Sequence, residues 1–114
     1  MTAIYKILPR ADWVRSEAAG VYAGSALDLA DGFIHFSAAD QARETARRHF
    51  AGQTDLVILT VEAESLGEAL VWEPSRGGAL FPHLYGPLPV SLVREVRAAP
   101  LGEDGTPDLG PLGP

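Results

Sequence analysis

Three short stretches of this chain place hydrogen-bonding side chains at spacings that suit chemistry. In Asp31-Gly32-Phe33-Ile34-His35-Phe36-Ser37, His35 and Ser37 lie two apart inside an apolar run. On a strand both would leave by one face, opposite Ile34 and Phe36. An imidazole in that position can act as acid, base or hydrogen-bond donor to a ligand, so His35 is the first catalytic candidate. Ser37 reads in two ways. It can contact an anion at the start of the following helix, where free N–H groups favour negative charge, or it can cap that helix, with Asp40 completing a capping box.

The second stretch is Trp72-Glu73-Pro74-Ser75-Arg76-Gly77-Gly78. Glu73 can orient a ligand hydroxyl or accept its proton, and the planar fork of Arg76 suits an anion. The two glycines let a ligand approach the backbone. The same residues also fit a strand end followed by a surface turn with a Glu–Arg pair of little energetic worth.

The third stretch is Phe81-Pro82-His83-Leu84-Tyr85-Gly86, where His83 and Tyr85 alternate with Pro82 and Leu84. With His35 and Tyr22 these rings could line a cleft of apolar walls and few polar groups. Alternatively they are an edge segment packed on the core with polar tips in water. A metal site built from His35, His83 and a carboxylate is conceivable but has little support, since the chain has no cysteine and no histidine pair lies at helical ligand spacing. Ser25 and Ser75 lack the Gly-x-Ser-x-Gly elbow of a serine hydrolase.

These residues need a scaffold. Ile4 to Leu8 reads as a strand stopped by Pro9, and Arg10 to Ala19 as a helix stopped by Gly20. Val21 to Ala30 reads as an irregular loop. Phe33 to Ser37 is a strand, and Ala38 to about Phe50 a helix with Ala38, Ala42, Ala46 and Phe50 on one stripe. Glu44 precedes Arg48 by the favourable four residues. Asp55 to Glu62 is nearly continuously apolar, as a central strand covered on both faces would be. Ala69 to Glu73 is a strand broken by Pro74, and Val90 to Val96 is the last. Strands outnumber helices and cluster late, which points to a small α+β fold with a mixed, mostly antiparallel split sheet and two main helices.

At 114 residues the chain is one domain, with 46% hydrophobic and 21% charged residues, as in soluble globular proteins. The net charge of −6 argues against nucleic acid as a partner. A small anion held by local cations is compatible with it. No run is long enough to span a membrane, and the first residues enter a strand pattern without a signal-peptide layout, so a cytoplasmic location is expected. The globular domain is expected over residues 1–98, with a Pro/Gly-rich, disordered tail over 99–114. Oligomeric state is not encoded in any pattern here.

Taken together, Ile4-Tyr5-Lys6-Ile7, Trp13, Gly20-x-Tyr22-x-Gly24-Ser25, Asp28-x-x-Asp31-Gly32-Phe33-Ile34-His35-Phe36-Ser37, Gln41, Thr45, His49-Phe50, Leu56-Val57-x-Leu59, Trp72-Glu73-x-Ser75-x-Gly77-Gly78 and Phe81-Pro82-His83-Leu84-Tyr85-Gly86 resemble the bacterial domain-of-unknown-function family numbered 952. The resemblance runs from Ile4 to about Val96. It implies a fold similar to the ADP-ribosyltransferases, with the RNA 2′-phosphotransferases as the nearest pattern, and hence NAD as the cofactor to consider. His35 and Ser37 match a His-x-Ser strand of those enzymes. Ser75 and Gly78 match a later Ser and turn, with Gly77 where those enzymes have Asn. The first-strand His of the transferases is missing, since Tyr5-Lys6-Ile7 occupies that stretch.

The function expected is therefore a small-ligand, nucleotide-like binding domain of unknown activity. His35 would do the chemistry, and Ser37, Glu73, Ser75, Arg76, His83 and Tyr85 would bind the ligand. The alternative is a non-catalytic structural or interaction module.

Overall fold

A computed structural model describes residues 1–112, and the side chain of Arg76 lies outside the described residues. The chain runs through β1 (Ala3–Pro9), α1 (Arg10–Ala19), β2 (Val21–Tyr22), α2 (Ala26–Asp31), β3 (Ile34–His35), β4 (Ser37–Ala38), α3 (Ala42–His49), β5 (Leu56–Glu62), β6 (Leu70–Ser75), β7 (Ala79–Leu84), β8 (Leu88–Pro89) and β9 (Val93–Ala99). Short 3₁₀ segments cover Ala63–Ala69, Arg76–Gly78 and Val90–Leu92.

The strands form a four-stranded sheet in the order β4-β1-β5-β9, a three-stranded sheet β3-β7-β6 and a β2-β8 pair. The split sheet is present, but every pairing between these strands is antiparallel, so the expected parallel component is absent among the described residues. Among the described residues only β6 and β7 are joined by a hairpin-length turn; the other antiparallel neighbours are brought together by long connections.

Strand alternation divides the core. Ile4, Leu8, Val57, Leu59 and Val61 pack on one face of the large sheet with Trp13, Tyr22, Ile34, Phe36, Leu84 and Leu88. Tyr5, Ile7, Leu56 and Ile58 pack on the other with Ala42, Ala46 and Leu109. β5 lies between β1 and β9, as its unbroken apolar run predicts.

α1 begins and ends where expected, and its C-terminus is closed by Gly20 at φ 84° donating its N–H to the Ser16 carbonyl, a backbone state that glycine adopts freely. Four local expectations are corrected. Residues 26–31, read as loop, are helical because Ser25 and Asp28 form a reciprocal capping box. The Phe33–Ser37 strand is not continuous. β3 pairs with β7 and β4 with β1, so the chain changes sheets at the buried Phe36, whose N–H donates to the Pro82 carbonyl at 3.0 Å.

Ser37 therefore belongs to β4 and does not cap α3, which starts only at Ala42. Its hydroxyl instead lies 2.8 Å from that of Thr45. Finally, β6 continues through Pro74 to Ser75. It is an edge strand of its sheet, where proline's missing N–H is tolerated.

Residues 100–112, expected from composition to form a disordered tail, fold back on the domain. Leu101 bridges Pro107, the Gly52 N–H donates to the Gly105 carbonyl at 2.8 Å, and Leu109 is buried in the second core. Two leucines, Leu109 and Leu112, supply apolar surface to this cluster. Residues 113 and 114 lie outside the described residues.

Candidate functional site

The sheet change at Phe36 sets His35 beside α2. The His35 Nδ1 lies 2.6 Å from Asp28 Oδ1, its Nε2 lies 2.9 Å from Asp31 Oδ2, and its backbone N–H also donates to Asp28 Oδ1 at 3.1 Å. Both ring nitrogens are thus engaged by carboxylates three residues apart on α2. Asp28 is the hub. It also accepts from the Ser25 N–H at 2.9 Å and from Lys6 Nζ, which lies 2.9 Å from Oδ2 and 3.1 Å from Oδ1.

Asp28 and Lys6 are both buried. Burial pushes the Asp28 carboxyl up, but the charge of Lys6, the Ser25 N–H and hydrogen bonds from Lys6 and His35 outweigh it and hold the group below the usual carboxylate range. Burial pulls the Lys6 ammonium down from its ordinary value, opposed by Asp28. A charged pair out of water needs this kind of surrounding hydrogen bonding to persist.

Across the sheet His83 stands opposite His35 in the β3–β7 register. Its Nδ1 lies 2.8 Å from Glu73 Oε1, and the Tyr85 hydroxyl donates to the same oxygen at 2.7 Å. These bonds, the one from His83 first, lower the Glu73 carboxyl below its ordinary value. The reciprocal bond to Glu73 is the main cause that raises the Tyr85 hydroxyl. Phe33 lies over this pair of histidines, stacked on His83 with centroids 4.1 Å apart and tilted against His35 at 4.6 Å.

His35 and His83 border a cavity of about 400 Å³, within the size of small-molecule sites. α2 forms one side through Ala26 and Leu27, α3 another through Thr45 and His49, and the β6–β7 hairpin a third through Ser75 and Phe81. Ser37 lies on its wall. Among the described residues that line it, the basic groups are Lys6, His35, His49 and His83, and the one acid is Asp28. Asp28 is paired with Lys6 and His35, so the charge of Lys6 is balanced within the wall of the cleft.

Of the residues singled out from sequence, His35, Ser37, Ser75 and His83 meet at this cleft. Glu73 and Tyr85 stand just outside its lining and hold His83. Arg76 begins the turn after Ser75, and its side chain lies outside the described residues. Tyr22 belongs to the core, not the cleft. Its hydroxyl has no partner among the described residues, and burial raises its pKa.

Sequence reading overlooked Asp28, Asp31, Lys6 and Phe33. Two signals were available: the Ser25-x-x-Asp28 capping pattern and a lysine in the middle of the apolar strand Ile4-Tyr5-Lys6-Ile7-Leu8. Among the described residues no group of three His, Asp or Glu side chains is arranged to hold a metal ion. None of the described helices is long and apolar enough to cross a membrane.

The arrangement has relatives of known structure. Protein CC0527 from Caulobacter crescentus, by X-ray crystallography, is 60% identical, with 93% of each chain covered and a TM-score of 0.91. Its solution NMR structure matches at 61% identity, covering 94% of this chain and 92% of that one, with a TM-score of 0.85. No curated protein matches the chain. The family model described as "Protein of unknown function (DUF952)" matches residues 7–96, nearly the whole domain including every cleft residue from Ile7 to His83. The chain belongs to the DUF952 family of proteins of unknown function.

Proposed function

We propose that the cleft binds a small, anionic, nucleotide-like ligand, in a domain similar in fold to the ADP-ribosyltransferases. The observation that carries this reading is a cavity of about 400 Å³ that brings His35, Ser37, Ser75 and His83 together between apolar walls. Ser37 and Ser75 lie on the cleft wall, His83 offers a ring nitrogen, and Arg76, next to Ser75 in sequence, is the residue proposed for an anion. Phe36, Phe50 and Phe81 supply apolar wall for a base or sugar.

The residues do not fit NAD handled as the transferases handle it. The histidine that would hold the nicotinamide ribose is missing from β1, and Lys6, which faces the cleft from that strand, is committed to Asp28. Glu73 and Tyr85 act in this reading by holding His83.

A second reading, a non-catalytic interaction module, draws support from a different surface. Trp72 and Leu80 are 38% and 51% exposed on the β6–β7 hairpin. Trp72 pairs with Pro82 and Leu80 with Pro74, so these side chains share the face away from His83.

A two-dimensional NMR titration of the labelled protein with AMP, ADP-ribose and NAD separates the two. Saturable shifts at His35, Ser75 and His83, weakened in His35→Ala, are the expected result. No shift at His35, Ser75 or His83 at millimolar nucleotide would overturn the ligand reading.

A further inference from the structure

We infer that His83 is the proton acceptor of the cleft, with Glu73 and Tyr85 as its positioning residues and a ligand hydroxyl or bound water as the proton donor. This rests on the cleft being the ligand site and adds the chemistry available there.

The two histidines that face each other across β3 and β7 are wired differently. His35 has a carboxylate oxygen at each ring nitrogen, Asp28 at 2.6 Å and Asp31 at 2.9 Å. Neither nitrogen is left for a ligand, and the ring acts as a clamp joining β3 to α2. His83 has one carboxylate, at Nδ1. Its Nε2 has no hydrogen-bond partner among the described residues. Glu73 and Tyr85 are not among the cavity-lining residues whereas His83 is, so the Nδ1 edge turns toward the rim and away from the cavity.

An imidazole that donates Nδ1–H to a carboxylate carries its lone pair on Nε2. Glu73 is secured in turn by the Tyr85 hydroxyl on the same oxygen, and Phe33, 25° from coplanar, holds the ring plane. The result is an oriented base whose side chain is only 6% exposed, and which reaches solvent through the cleft.

The proton step balances within these groups. The proton of a ligand or water O–H passes to Nε2. The ring becomes imidazolium, with Nδ1–H still on the ionised Glu73 carboxylate. The same proton later leaves Nε2 for a leaving oxygen or water and restores the neutral ring. A positioned base of this type contributes about 10²–10⁴-fold to a reaction rate.

The test uses the full chain without nucleotide, so a failure of the ligand reading leaves its readouts unchanged. The chain has three histidines, and each ring can be followed by long-range proton–nitrogen correlation at neutral pH. The expected spectrum shows His83 as a single tautomer with Nδ1 protonated and Nε2 bare. Glu73→Gln, whose amide oxygen still accepts, retains it, and Glu73→Ala shifts the proton to Nε2. In parallel, diethyl pyrocarbonate, which acylates unprotonated imidazole nitrogen, should modify native His83 as read by peptide mass spectrometry. A protonated Nε2 in the native protein, a tautomer unchanged in folded Glu73→Ala, or a native His83 inert to the reagent would each overturn the assignment.

Discussion

His35 and His83 are cross-strand partners with ring centroids 5.5 Å apart, yet each is tied to a different carboxylate system. His35 belongs to the buried Lys6–Asp28 network and His83 to the half-exposed Glu73–Tyr85 pair. The first is rooted in β1 and α2 and supports the fold. The second is confined to β6 and the end of β7, at the rim of the cleft.

Removing Asp28 should therefore damage the fold more than removing Glu73. Asp28→Ala leaves the buried Lys6 ammonium without its counter-charge and the His35 ring without one partner, and is expected to cost about 3–5 kcal/mol. Lys6→Met should cost less, because Asp28 keeps its bonds from Ser25 and His35. Urea unfolding of the two variants gives the comparison, and equal losses would contradict the hub role of Asp28.

Acid should destabilise the protein in a defined direction. Asp28, Glu73 and Glu44 all have carboxyl pKa values below their ordinary 3.8 or 4.5 in the folded state. The folded protein thus binds these protons less readily than the unfolded chain. The stabilisation is complete above the ordinary values and is lost as the pH falls through the folded ones. For Glu44, held by hydrogen bonds from Arg47 and Arg48, the loss runs from 4.5 down to about 2. Its exposed pairs should also weaken with salt. Unfolding free energy measured against pH should fall below about pH 4.5, and Glu73→Gln should flatten part of that slope.

The short helix α2 depends on its first turn. Ser25→Ala removes the hydroxyl that accepts the Asp28 N–H at 3.1 Å and is expected to cost about 1 kcal/mol. Gly24 is a separate constraint, since its φ is 116° and an added Cβ would stand 2.9 Å from the Asp28 Cβ. Gly24→Ala should displace α2 and disturb both His35 contacts. Hydrogen exchange of residues 26–31 should accelerate in both variants, and unchanged protection in Gly24→Ala would refute the packing argument.

Leu109 tests whether the C-terminal segment is part of the domain. It is 2% exposed and packs with Leu56, Ile58 and Ala46. Leu109→Ala is expected to cost about 2–5 kcal/mol, as for other buried leucines. A thermal midpoint unchanged by this substitution would return residues 100–112 to the role of a detached tail.

The amino-acid sequence by itself determined the parts whose causes are local. A continuous apolar run marks β5, and flanking Pro or Gly marks the ends of β1 and α1, because side-chain pattern and chain-breaking chemistry act over a few residues. The motif residues His35, Ser37 and His83 were also visible, as polar side chains spaced by two in apolar runs, and Ser75 through the family resemblance. The tertiary structure decided what those residues do. The sheet change at Phe36 removed Ser37 from the helix cap and set His35 against α2. The β6–β7 register brought Glu73 to His83, and β1 carried Lys6 to Asp28, 22 residues away. The Pro/Gly-rich C-terminal segment found a place because Leu109 meets an apolar groove beside α3 that no local pattern foretells. Such contacts depend on which strands pair and on which face each one presents, and pairing is a property of the assembled sheets, not of any single segment.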